Sequence, residues 1–235
     1  MQATDSSPIS PLERLVARAE QLMQRIEAVL PQPLQAPADW GAAIAWRYRK
    51  RANGCGVLEP VRHVGAMQLS DLQNIDAQKE KIARNTEQFV QGRTANNVLL
   101  TGARGTGKSS LIRACLHAYA DQGLRLIEVD KADLTDLPDI VEVVAARPEY
   151  FIIYCDDLSF EEGEPGYKAM KSILDGSVSA ATPNVLVYAT SNRRHLLPEY
   201  LSENLQTSKG QDGEIHPGEV VEEKISLSER FGLWV

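Results

Sequence analysis

The chain has 235 residues, 43% hydrophobic and 24% charged, which is the balance of a soluble globular protein and a length for one large domain or one domain with a small appendage. Its 25 Lys and Arg against 32 Asp and Glu leave a net charge of −7, which excludes a generally polycationic nucleic-acid binder while still allowing a local basic patch. Three scattered cysteines (Cys55, Cys115, Cys155) form no CxxC pair and no cluster with histidine, the N-terminus has no apolar leader, and no apolar run approaches membrane length, so disulfide, zinc, secreted and membrane classes give way to a reducing cytoplasm.

Ser10-Pro11-Leu12-Glu13 reads as a helix start, with a serine cap, a proline in the first turn and a glutamate completing a capping box. Leu12, Leu15, Val16, Ala19, Leu22, Met23, Ile26, Val29 and Leu30 then recur at helical spacing, which predicts an amphipathic helix over Ser10–Leu30, stopped by the proline-rich stretch Pro31–Pro37. Its apolar face either packs on its own domain or docks a macromolecular partner. Trp40–Arg51 is read as a second short helix. Its end, Trp46-Arg47-Tyr48-Arg49-Lys50-Arg51, interleaves rings with cations, a pattern that either contacts nucleic acid or forms a solvated face with two rings turned inward. Asn53-Gly54 marks a turn and Gly56–Val64 an extended segment. Residues 1–65 are thus read as a helical N-terminal segment with a linker, and residues 66–235 as an α/β core.

Asp76–Gln91 is predicted helical, with Gly92 closing it. Strands are then predicted at Val98–Thr101, Leu124–Val129, Tyr150–Asp156 and Val185–Thr190, with helices between them at Gly107–Ala120, Asp136–Ala146 and Tyr167–Leu174. Short, wholly apolar strands alternating with helices call for a parallel sheet covered on both faces. The polar, glycine-containing stretch 206–224 is read as a long loop.

Gly102-Ala103-Arg104-Gly105-Thr106-Gly107-Lys108-Ser109 satisfies GxxxxGK[ST], with a strand leading in and a helix leading out. A polyphosphate needs several backbone N–H groups aimed at it. Glycine supplies the backbone conformations and the room, and the following helix presents its positive end. Gly102, Arg104, Gly105, Thr106, Gly107, Lys108, Ser109 and Ser110 are the candidate contacts to ATP. Lys108 can reach the β- and γ-phosphates, and the Ser109 hydroxyl can ligate Mg²⁺. The apolar strand Phe151–Cys155 delivers Asp156 and Asp157 where ligands bind in open α/β sheets. Asp156 is the candidate for holding Mg²⁺ with Ser109, and Asp157 for orienting or deprotonating the attacking water. Val185–Thr190 leads to Asn192, a candidate for the γ-phosphate or the water, followed by Arg193 and Arg194.

The order P-loop, apolar strand with Asp156-Asp157, Ala189-Thr190-Ser191-Asn192 and Ser228-Glu229-Arg230-Phe231 resembles the AAA+ ATPases, and most closely a largely uncharacterised group of bacterial single-module AAA+ ATPases. The resemblance covers roughly Gly54 to the end. It implies a P-loop NTPase (AAA+-like) fold with a parallel five-stranded sheet sandwiched by helices. It also implies ATP hydrolysis in a homo-oligomeric ring or partial ring, with Arg230 completing the neighbouring subunit's site. Leu72–Gln78 matches the region flanking adenine, from which Asn74 and Ile75 carry over. Where the family usually has glutamate this chain has Asp157, with Glu161 or Glu162 as substitutes, and it stops at Val235, so the C-terminal helical lid with its arginine is expected to be absent. Asp130–Asp136 is acidic and lacks an aromatic residue, which points from polypeptide threading toward a partner-loading or remodelling ATPase. The alternatives are a nucleotide-gated switch that docks a partner through Ser10–Leu30 with little turnover, and a small-molecule kinase.

Overall fold

The structure is a computed structural model that describes residues 11–27, 34–161, 164–175, 182–192, 196, 208–209, 215–216 and 227–235. Helix α1 (Pro11–Glu27) comes first, and Ser10 lies outside the described residues. Every side chain from Leu12 to Ile26 is exposed, so the alternative in which α1 packs on its own domain is not the one observed.

Trp40–Arg51 is not a helix. After a short 3₁₀ turn at Trp40–Ala42, β1 (Ala45–Lys50) forms an antiparallel hairpin with β2 (Gly56–Pro60). The reason lies in the period. Trp46 and Tyr48 enter one core while Arg47 and Arg49 turn away, an alternation of two that suits a pleated strand, and large rings favour that environment. The cations are matched by carboxylates. Arg47 meets Glu128 at 2.7 Å, Lys50 meets Asp136 at 2.9 Å and Arg49 lies 3.6 Å from Glu59. The ring-and-cation run, read from sequence as either a nucleic-acid contact or a solvated face with two rings turned inward, is a strand with both rings buried and its charges largely paired.

The remaining elements alternate as expected: α2 (Asp76–Val90), β3 (Val98–Thr101), α3 (Lys108–Tyr119), β4 (Leu124–Glu128), α4 (Leu137–Ala145), β5 (Tyr150–Cys155), α5 (Pro165–Leu174) and β6 (Val185–Ser191). A minimal antiparallel pair, β7 (Ser208–Lys209) with β8 (Ile215–His216), stands apart from the main sheet. The rest of the predicted loop 206–224 lies outside the described residues. The last strand is β9 (Leu233–Trp234).

The main sheet has seven strands in the order β2-β1-β4-β5-β6-β3-β9. The expected five-stranded parallel sheet is its body, from β4 to β9, and β1 continues it in parallel beside β4. The sheet therefore begins at Ala45, inside the stretch 1–65 read from sequence as helical segment and linker. Alternate residues feed two cores. Leu99, Ile127, Ile153 and Val187 face α4 and α5, while Leu100, Leu126, Ile152 and Tyr188 face α2 and α3. Burial on both faces explains why these strands read as unbroken apolar runs.

A buried polar cluster ties α2 to the sheet. The Tyr188 hydroxyl accepts from Asn85 Nδ2 at 3.1 Å and shares a 2.8 Å hydrogen bond with Thr86, while Asn85 also pairs with the Asn96 backbone in both directions. Tyr188→Phe leaves Asn85 and Thr86 short of a partner in a dry core. The expected cost is about 1–3 kcal/mol, a fall in Tm of roughly 2–4 °C per kcal/mol in a chain of this size, to be measured by calorimetric or CD melting.

Candidate functional site

The site grows from three adjacent strand ends. β6 runs between β5 and β3, with Cys155 opposite Ala189 and Thr101 opposite Ser191. The loops that leave these ends begin at one level of the sheet. The P-loop follows Thr101, Asp156-Asp157 follow Cys155 and Asn192 follows Ser191. They enclose a cleft of about 360 Å³ lined by residues 104–110, Asp156, Asp157, Thr190 and Asn192.

The P-loop backbone needs its glycines. Gly102, Gly105 and Gly107 stand at φ 146°, 80° and 87°, a region that side chains disfavour. Gly107 then opens α3, so the first N–H groups of that helix face the cleft. The Lys108 ammonium donates to Gly102 O at 2.7 Å, Ala103 O at 2.8 Å and Asn192 Oδ1 at 3.0 Å. All three acceptors are neutral, and an anionic phosphate is a stronger partner for the same cation.

Asp156 Oδ1 accepts from Ser109 Oγ at 2.9 Å and from Thr190 Oγ1 at 2.5 Å. Partial burial works to raise the carboxyl, but hydrogen bonds led by that from Thr190 outweigh it and hold Asp156 below the ordinary aspartate value. The buried Tyr154 hydroxyl, two residues before Asp156 on the same strand, lies against the same cluster. An all-oxygen set of hydroxyl and carboxylate fits a hard divalent cation such as Mg²⁺ that keeps part of its water shell.

Asp157 has left-handed φ of 51°, which aspartate tolerates better than most residues. Its N–H donates to Thr190 Oγ1 at 2.9 Å. Its carboxylate accepts from Asn192 Nδ2 at 2.6 Å and from Arg104 at 3.3 Å. The cleft thus holds groups able to grip phosphate together with a carboxylate able to take a proton.

The structure brings Arg104, Gly105, Thr106, Gly107, Lys108, Ser109, Ser110, Asp156, Asp157 and Asn192 to this one cleft, while Gly102 is tied to it through its carbonyl, which accepts from Lys108. Ile75 and Leu72 flank the P-loop, each with a methyl 3.9 Å from where a Cβ on Gly107 would stand. Asn74 takes a left-handed turn beside them, φ 63°. Arg230 is not brought there. Its guanidinium pairs with Asp175 at the end of α5. Arg193, Arg194 and Glu162 lie outside the described residues. Thr190 is the residue sequence reasoning missed. A hydroxyl closing an otherwise apolar strand, directly beside the Asp-Asp strand, was its available signal. Burial pushes the thiols of Cys115 and Cys155 up to about 12, so they stay protonated core residues. Among the described residues no helix is long and apolar enough to cross a membrane.

The architecture is the one that the resemblance to AAA+ ATPases implies, an α/β P-loop fold with a mostly parallel sheet between helices. A family model described as "Protein of unknown function (DUF815)" matches residues 41–235. Among solved structures, the chain is similar to the Thermotoga maritima RuvB Holliday junction branch migration motor, with TM-score 0.44 and 16% identity over 73% of this chain and 47% of that one. DnaI is similar at TM-score 0.45 and 20% identity over 72% and 85% of the two chains. The Aeropyrum pernix ORC1 protein in complex with DNA is similar at TM-score 0.40 and 18% identity over 52% and 39%. The chain spans about half the length of the RuvB structures it matches.

Thr190→Val removes the hydroxyl that donates to Asp156, so the Asp156 pKa is expected to rise, as read by NMR titration of its carboxyl carbon. A depressed folded pKa stabilises the fold above the unfolded value, and that contribution disappears as pH falls through the folded one. The pH-dependent deficit of Thr190→Val, about 1 kcal/mol, is therefore expected at neutral pH and to shrink in acid, which urea denaturation across pH checks.

Proposed function

This chain belongs to the DUF815 family of proteins of unknown function, and we propose that it binds ATP with Mg²⁺ and hydrolyses it to remodel or load a macromolecular partner. One observation carries the reading. Lys108, the Ser109–Asp156–Thr190 cluster and the Asp157–Asn192 pair converge on a single glycine-lined cleft.

In this reading the P-loop amides and Lys108 bind the β- and γ-phosphates, exchanging the neutral acceptors of Lys108 for anionic ones. Ser109 and Asp156 would hold Mg²⁺, which would neutralise phosphate charge. Asp157 orients a water and takes its proton as the water oxygen bonds to the γ-phosphorus and the bond to the β-phosphate oxygen breaks. Asn192 holds Asp157 in place and reaches the γ-phosphate. Ile75 and Asn74 flank the base. Arg230, lying on Asp175 rather than in its own cleft, suits action on a neighbouring subunit, where its charge would stabilise the transition state. A second reading is favoured by the clamp on Asp157. A carboxylate held by both Asn192 and Arg104 suits a switch that binds ATP and turns over little until a partner frees it.

ATP turnover against protein concentration separates the readings. Lys108→Ala is expected to abolish nucleotide binding. Asp157→Asn is expected to bind ATP and lose roughly 100-fold or more in turnover, and Arg230→Ala roughly 1,000-fold. Mixing Arg230→Ala with Lys108→Ala chains is expected to recover activity, because one supplies the site and the other the arginine. Binding with negligible turnover in every chain, wild type included, would favour the switch, and phosphate transfer to an acceptor other than water would favour a kinase.

A further inference from the structure

Among the described residues, large exposed apolar side chains are concentrated on one element. Leu12, Leu15, Val16, Leu22, Met23 and Ile26 all lie on α1, from 71% exposed at Leu12 to 47% at Val16, and only Trp234 stands elsewhere. A contiguous apolar stripe of that kind marks a contact surface. In proteins most of a helix's stability comes from packing of its amphipathic face, and the 17-residue α1 leaves that face exposed.

The stripe has heptad order. Leu12, Ala19 and Ile26 occupy a positions, Leu15 and Leu22 d, and Val16 and Met23 e. A face that includes e is wider than a two-stranded seam and suits a helical bundle. The two flanks differ in charge. Arg18 and Arg25 repeat at g, with Arg14 behind them at c, while Glu13 and Glu20 repeat at b, beyond e. The stripe therefore runs between an arginine rail and a glutamate rail.

That asymmetry selects both partner and direction. Two helices pointing the same way set the g side of one against the e side of the other. Identical copies of α1 then place arginine rail against glutamate rail at each contact, with the long arginine stems crossing the apolar e residues. Antiparallel copies set arginine against arginine and glutamate against glutamate. From this charge complementarity we propose that the partner of α1 is α1 of further copies of this chain, packed side by side in a parallel bundle. The proposal does not rest on the ATPase reading.

The test uses the full chain without nucleotide, in wild type and in Lys108→Ala so that nucleotide-driven assembly plays no part, with mass measured by sedimentation. Oligomers are expected, and Leu15→Asp with Leu22→Asp is expected to give monomers of unchanged Tm, since among the described residues neither buried core includes a residue of α1. Arg18→Glu with Arg25→Glu is expected to raise the assembly concentration roughly tenfold, about 1.4 kcal/mol. Adding Glu13→Arg and Glu20→Arg, which exchanges the rails, is expected to restore it. Direction is read by disulfide trapping. Leu12→Cys is expected to cross-link to itself, and not to Ile26→Cys in a mixed sample. A monomeric wild type overturns the proposal, whether or not it binds vesicles of anionic lipid. Oligomers insensitive to the Leu15 and Leu22 changes, or cross-linking of Leu12→Cys to Ile26→Cys, overturn it too.

Discussion

The register of β6 between β5 and β3 is the constraint on which the site depends. Hydrogen bonding sets Cys155 opposite Ala189 and Thr101 opposite Ser191, so three loops with different chemistry leave the sheet together. The same register carries Thr190 past the end of β5, where its backbone carbonyl accepts from Leu158 N–H and its hydroxyl bonds Asp156 and the N–H of Asp157. Because side chains alternate along a strand, a slip of one residue would turn the Thr190 hydroxyl to the opposite face. Asp156 would lose its strongest hydrogen bond and Asp157 its anchor.

That register is held from both faces and from one edge. Tyr188 and Leu186 bury on the α2–α3 side, and Val187 and Ala189 on the α4–α5 side. Polar groups settle what apolar packing leaves open. The Asn97 side chain accepts from Val187 N–H at 2.8 Å, and Asn184 Nδ2 caps backbone carbonyls at the end of α4 and in the turn that follows. Gly232 completes the edge. A Cβ there would stand 2.5 Å from the Asn96 side-chain oxygen, so any larger residue would force the Asn96 side chain to move where β9 lies along β3. Buried apolar strands supply the stability, and hydrogen bonds from named side chains supply the alignment.

Much of this was legible in the sequence where one local signal dominated. The apolar runs at Val98, Tyr150 and Val185 have a single outcome when both faces are buried, and the P-loop pattern carries its own backbone requirement. Legibility failed where two periods compete. Trp46-Arg47-Tyr48-Arg49 has charges and rings that a helix can also accommodate. Only the strand beside it, with Glu128 facing Arg47, shows the period of two. Thr190 was missed because its importance comes from residues more than thirty positions away. In α1 the helix and its apolar face were readable, while the exposure of that face was not.

The sequence by itself determined the glycine-rich phosphate cradle, the paired aspartates at a strand end, the alternation of strand and helix, and an amphipathic N-terminal helix. These follow from conformational preference and periodicity, which act over a few residues. Only the tertiary structure decided that Asp156 shares hydrogen bonds with Ser109 and Thr190, that Asn192 bridges Lys108 and Asp157, that Arg230 lies on Asp175, and that residues 45–60 join the sheet. The physical reason is that strand order and register are long-range outcomes. They arise when distant segments compete to bury the same apolar faces, and short-range pattern does not encode which neighbour wins.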